Sequence, residues 1–233
     1  MLCHKITKIT LSSDIHIFKS LLTTKIHEQL CNKLTDLKYS ETHPKMYDGL
    51  FRLDKTNNIE LSKQGVSRYY DVLYVDDLRK LAPDILSLTQ NKEILELVKH
   101  NTRENNIYDT NLSGTTNTTL QYYSKCGQGT HWHVDRNIFT PDTNVYTFLY
   151  CIQNTSDQKL GLVIDGKEHF IPWETNMAVL FKQFTQPHCV TPLSHGTRHL
   201  IITAYTNKPI VHTPMSTMMN AVKNFGYIGF KIF

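Results

Sequence analysis

The sequence predicts a mainly β fold with α-helical support: a sandwich or jelly-roll core preceded by amphipathic helices. Three observations carry this. Apolar residues recurring every fourth position are confined to the first hundred residues. Near residue 107 the pattern changes to short runs of β-branched and aromatic residues broken by turn formers, and it continues to about Thr206. These runs amount to roughly seven or eight short strands with few helices between them, the pattern of a sandwich or jelly roll.

The elements follow in order. Leu22, Ile26, Leu30 and Leu34 flank Glu28, Gln29, Asn32 and Lys33, which gives an amphipathic helix of roughly four to five turns. Residues 39–70 read as irregular, with Pro44, Gly49, Gly65 and the pair Asn57-Asn58 as turn formers. Pro83 suits the first turn of a second helix carrying Ile85, Leu86 and Leu88. Asn91 is placed to cap a third, whose apolar face uses Ile94, Leu95, Leu97 and Val98. A Thr/Asn/Ser/Gly run at 109–119 reads as a loop leading into strands at 118–123, 145–152, 160–164, 168–171, 177–181 and 199–206. Asp165-Gly166 marks a hairpin between the third and fourth of these. A helix-compatible stretch lies at 215–222, and an aromatic tail at 225–233 stays unassigned. The expected organisation is one domain: mostly helical support over 1–107, a β core over 108–206 and a tail over 207–233.

Composition narrows the class. The 233 residues are enough to bury a core without disulfides or structural metals, and 40% hydrophobic with 20% charged residues is ordinary for a globular protein. The net charge of +4 is dispersed, so charge gives little support to nucleic-acid binding. The five cysteines, Cys3, Cys31, Cys126, Cys151 and Cys189, are odd in number and scattered, which points to a reducing, cytoplasmic setting. No apolar stretch is long enough for a membrane span, and the N-terminus has no signal-peptide core.

The chemistry concentrates in four residues. His133 and Asp135 form an H-x-D pair, His188 follows far downstream, and Arg198 lies ten residues beyond it. Side chains two apart on a strand share a face, so H-x-D places an imidazole nitrogen beside a carboxylate. Two histidines and one carboxylate leave coordination positions open, the ligand set of non-haem iron(II) oxygenases. His131-x-His133 is a competing pair, since it too shares a face. The trailing arginine supplies a fixed cation for a dicarboxylate. If Arg198 points inward, Leu200, Ile202 and Ala204 share its face and Thr203 and Tyr205 lie outside. If Thr147 points inward, so do Leu149 and Cys151.

These residues resemble the 2-oxoglutarate- and iron(II)-dependent dioxygenases, in particular their prolyl 4-hydroxylase-like branch. The resemblance covers about residues 118 to 206. It rests on Tyr123, Gly127, the H-x-D pair, the 147–153 strand and the string from His188 through Gly196-Thr197-Arg198. It implies a double-stranded β-helix and a metal held by His133, Asp135 and His188. It implies 2-oxoglutarate bound through Arg198 and a Tyr123 hydroxyl, with Fe(II) and O2 required and ascorbate a candidate reductant. The implied reaction hydroxylates a C–H bond while converting 2-oxoglutarate to succinate and CO2. The implied substrate is a prolyl or other residue of a protein or peptide. The alternatives are a small molecule or nucleotide, or a silent module that only binds metal or 2-oxoglutarate.

The remaining candidates have plainer readings. Gly127 favours His133 over His131 as the ligand, and His131 is assigned to the rim. His195 and His199 are read as structural or merely partly exposed, and Cys151 and Cys189 as small buried hydrophobes. Trp132 is read either as shaping the substrate entrance or as packing. Two departures from the family stand out. Lys159-Leu160-Gly161-Leu162 replaces a glycine pair followed by an acid. Ala204 occupies the place of a second arginine found in the nucleic-acid-demethylating branch, which counts against base repair.

Overall fold

The computed structural model describes residues 1–38, 40–41, 68–110, 118–135 and 144–210, with positions 214 and 218. Most of the irregular 39–70 stretch, most of the 109–119 loop and nearly all of the tail beyond 210 lie outside the described residues. No described helix is long and apolar enough to cross a membrane, and all five cysteines carry free thiols.

The chain opens with a hairpin, β1 (Thr7–Ser12) and β2 (Ile15–Lys19). Helix α1 (Thr24–Leu34) follows. Short strands β3 (Ser40–Glu41), β4 (Arg68–Tyr69) and β5 (Asp71–Tyr74) lead into α2 (Val75–Leu81), α3 (Pro83–Thr89) and α4 (Lys92–Thr102). After β6 (Tyr108–Asp109) come β7 (Thr119–Tyr123), β8 (Gly129–His133) and β9 (Val145–Asn154). The last five strands are β10 (Lys159–Ile164), β11 (Lys167–Pro172), β12 (Met177–Lys182), β13 (His188–Val190) and β14 (Arg198–Thr206).

Two antiparallel sheets result. The larger runs β1-β2-β12-β9-β14-β7-β5-β3, with β6 also on β14, and the smaller runs β11-β10-β13-β8-β4. This is the jelly-roll architecture that the strand pattern predicts. The local signals are where the sequence puts them. Pro83 sits in the first turn of α3, and the Asn91 side chain accepts from Glu93 N at 2.8 Å to cap α4. Asp165 and Gly166 both adopt positive φ, 50° and 74°, as a two-residue hairpin turn requires.

Three expectations are corrected. The N-terminal region is less helical than its leucine spacing predicts, because β1, β2 and β5 extend the larger sheet. Helix α1 spans 11 residues, about three turns; Leu22 stands outside it, bridged to Leu2. Thr203 and Tyr205 do lie on the face opposite Leu200, yet both are fully buried, because the helices cover that face.

Coverage on both sides explains why β9 is buried without a break from Val145 to Ile152. Its Leu149 and Cys151 pack between the sheets with Leu160, Leu162, Val179 and Leu200. Its Tyr146, Phe148, Tyr150 and Ile152 pack outward against Leu30, Leu78, Ile85, Ile94 and Val98 of the helices. Tyr205 donates its hydroxyl to the carbonyl of Thr89 on α3 at 2.7 Å, so a buried polar group joins the layers without a penalty. Opposite β14, residues His199 and Leu200 face Gln153 and Cys151, which leaves Ile152 as the extra residue of a bulge.

His199 is structural, as the sequence suggests. Its ring stacks on Tyr122 at 4.3 Å, and burial lowers its pKa from 6.5 to about 4. The unfolded chain therefore takes up this proton first as pH falls, and stability drops between those two values by about 3 kcal/mol in total. In urea unfolding of the metal-free protein, the advantage of wild type over His199→Gln should shrink by about 2 kcal/mol between pH 7.5 and 5. Parallel profiles would contradict the assignment.

Candidate metal centre

Strands β8 and β13 pair antiparallel with His133 directly opposite His188, and the two rings lie 4.2 Å apart. Each ring is fixed by its own backbone. His133 Nδ1 donates to the carbonyl of His131 at 2.7 Å and His188 Nδ1 to that of Gln186 at 3.0 Å. A carbonyl only accepts, so the proton of each ring sits on Nδ1 and the lone pair on Nε2. Both Nε2 atoms face Asp135, each 3.5 Å from a different carboxylate oxygen. The three side chains offer ligand atoms within 4.8 Å of one another. Acceptors converging on one point form a donor set that a divalent cation satisfies.

Asp135 reaches this point differently from the expectation of strand parity. Strand β8 ends at His133, and the carboxylate comes from the irregular backbone just past that end. His131 is exposed and stands outside the cluster; its carbonyl is what orients the His133 ring. Trp132 alternates to the outer face of the smaller sheet, where it meets Phe170 edge-on at 6.0 Å. Gly161 makes room for it, since a Cβ there would come within 2.9 Å of the indole and would also strike Cys189 Sγ. The departure at Lys159-Leu160-Gly161-Leu162 is thus a packing feature, and of the two readings of Trp132, packing holds. Burial raises the thiols of Cys151 and Cys189 to about 12 and about 11, so both are neutral fillers.

Arg198 begins β14, opposite Tyr123 on β7 and Asn154 on β9. It is 0% exposed. Its guanidinium carbon lies 4.3 Å from the Tyr123 ring centre and 4.9 Å from that of Trp173. Its Nε, Nη1 and Nη2 find no hydrogen-bond partner of good geometry among the described residues. Burial pushes its pKa down, with Tyr123 and Cys151 opposing, but a guanidinium stays charged in a protein. A buried cation without an anion is costly, and a carboxylate is the partner its planar fork fits. The Tyr123 hydroxyl donates to Gln121 Oε1 at 2.7 Å, and its ring serves as the shelf for the guanidinium.

The loop before Arg198 is laced to residues 155–157. The Ser194 hydroxyl donates to Asp157 Oδ2, the backbone N–H groups of Ser194 and His195 donate to Oδ1 at 3.0 and 3.2 Å, and these bonds, the hydroxyl's first, hold the carboxyl well below the usual range. Thr155 N donates to Thr197 O at 2.8 Å. Gly196 has φ +78°, and any Cβ there would strike the Thr155 carbonyl.

No known family's sequence profile matches the chain, and no curated protein matches it in sequence. Solved structures do match in shape. A prolyl-4-hydroxylase from Pseudomonas putida superposes with TM-score 0.53 at 11% identity, over 84% of this chain and 93% of its own. The non-haem alpha-ketoglutarate-dependent epimerase SnoN from nogalamycin biosynthesis gives 0.57 at 10%, over 83% and 78%. Prolyl 4-hydroxylase from Phytophthora capsici gives 0.51 at 14%, over 93% and 68%. The fold is that of the 2-oxoglutarate and iron(II) oxygenases.

Sequence reasoning singled out every residue of this cluster and the arginine, but passed over Trp173. A tryptophan buried beside a cation carries a signal in its N–H, which ordinarily needs an acceptor; spacing alone does not reveal it.

The glycines give a test. Gly127 also has positive φ, +84°, but open space around its Cβ position. Gly127→Ala should cost about 1 kcal/mol from backbone strain alone, and Gly196→Ala at least twice that. Equal losses in urea unfolding would contradict the close approach at Thr155.

Proposed function

We propose that this protein is a 2-oxoglutarate-dependent dioxygenase in which His133, Asp135 and His188 hold Fe(II) and Arg198 holds the distal carboxylate of 2-oxoglutarate. One observation carries the reading: a cluster of three acceptors suited to a divalent metal and a buried guanidinium without an anion among the described residues belong to the same jelly roll. When bound, Fe(II) with 2-oxoglutarate and O2 supplies the oxidation of a C–H bond, coupled to conversion of the co-substrate to succinate and CO2. The chain's own contribution is to bind, orient and shield. The Nδ1 hydrogen bonds keep both Nε2 lone pairs available, and the apolar wall of Leu149, Cys151 and Leu200 keeps the dielectric around Arg198 low, which strengthens its pairing with a carboxylate.

For the primary substrate we propose a prolyl or other residue of a protein or peptide. Two of the solved structures sharing the fold are prolyl 4-hydroxylases. A small-molecule substrate is the second reading, because SnoN, an alpha-ketoglutarate-dependent epimerase, superposes at least as well. A nucleic-acid substrate has no support from charge or from Ala204. Scattered, unbridged thiols accord with action in the reducing cytoplasm.

With Fe(II), ascorbate and 2-oxoglutarate, succinate release should be stimulated by a peptide panel more than by a small-molecule panel; the reverse selects the second reading. His133→Ala and Asp135→Ala should each abolish succinate formation, and Arg198→Met should raise the KM for 2-oxoglutarate about a hundredfold. Turnover that survives both ligand substitutions overturns the assignment. Binding of 2-oxoglutarate without succinate under every condition would make the protein a silent binding module.

A further inference from the structure

We infer that Trp173 is the neutral hydrogen-bond donor that works beside Arg198 on the distal carboxylate of the co-substrate, in the place expected of Tyr123. The inference rests on the dioxygenase reading above and assigns a positioning role within that site. Trp173 follows β11 and is 4% exposed. Its Nε1 is buried without a hydrogen-bond partner among the described residues. Indole nitrogen can only donate, so the group that completes it must be an acceptor. The same holds for the guanidinium whose carbon lies 4.9 Å from the indole ring. Unmet donors on two adjacent side chains, one of them cationic, call for one acceptor-rich anion between them.

A carboxylate has the capacity. Its two oxygens offer about four lone-pair sites, and the fork of one arginine uses two of them. Tyr123 directs its single proton to Gln121, whereas the indole beside Arg198 is a neutral donor still unmet among the described residues. The backbone holds Trp173 in place. Asn154, the cross-strand partner of Arg198 on β9, donates its Nδ2 to the Trp173 carbonyl at 2.9 Å. One asparagine therefore ties the two donors to a common frame.

Calorimetric titration of the Mn(II)-loaded protein, which cannot turn over, separates this role from packing. Trp173→Phe keeps an aromatic face against Arg198 and removes only the N–H. Affinity for 2-oxoglutarate should fall about tenfold or more, the worth of a hydrogen bond to a charged group. Affinity for 2-oxobutyrate, which keeps the keto acid and lacks the distal carboxylate, should not change. An unchanged 2-oxoglutarate affinity, or an equal loss for both ligands, overturns the assignment. A second readout avoids altering the site. The chain has two tryptophans, so Trp132→Phe leaves Trp173 as the sole indole. Its emission should change on adding 2-oxoglutarate, with the calorimetric midpoint, and stay constant with 2-oxobutyrate; a constant emission with both refutes the contact. Wild-type protein that binds no 2-oxoglutarate would instead refute the dioxygenase reading, and this inference with it.

Discussion

The register between β8 and β13 is the constraint on which the site depends. With His133 opposite His188, two imidazole nitrogens point at one carboxylate; a slip of one residue would turn Cys189 inward and His188 away. A strand of three residues cannot hold such a register alone. Its surroundings hold it. Val190 N donates to Thr130 Oγ1 at 3.0 Å. Gly129 lets the Val190 carbonyl approach closer than any Cβ would tolerate. Gln158, itself buried, donates to the carbonyls of both Gln128 and Thr191 at 2.8 and 3.0 Å, clamping the two strands from the end.

The second dependency is electrostatic. Arg198 is buried between the aromatic faces of Tyr123 and Trp173, which attract a cation but do not replace an anion. The chain thus carries a desolvated charge in its folded state and offsets it with packing elsewhere. The helical layer explains how. By covering the outer face of the larger sheet, α1, α3 and α4 let that sheet bury both sides, so the inner face is free to carry polar, incompletely satisfied groups. Thr147 Oγ1 is another such group on the inner face, buried without a partner.

Much of this was legible in the sequence, and the failures have physical causes. Strands such as β9 and β12, the Asp165-Gly166 turn, the Pro83 start and the Asn91 cap are encoded locally, so pattern and propensity find them. The β1–β2 hairpin has no comparable mark. Ile15 and Ile17 face the inner core while Phe18 faces the helices, so neither alternation nor a helical period is visible until β12 pairs with it. The bulge at Ile152 is invisible for the same reason. At the site, the H-x-D pair and the downstream His188 are the three side chains whose ligand atoms converge, with Asp135 lying just past the end of its strand. Trp132 is adjacent to His133 in sequence and faces away from it, against Phe170; Trp173 has no motif residue beside it.

The central claim is that one metal ion joins residues more than fifty positions apart. Crystals grown anaerobically with Fe(II), measured for anomalous scattering at the iron edge, test it most directly. A single peak within bonding distance of His133 Nε2, His188 Nε2 and an Asp135 oxygen is the predicted result. A peak centred on His131, or iron-free density at this point in iron-saturated crystals, would contradict it.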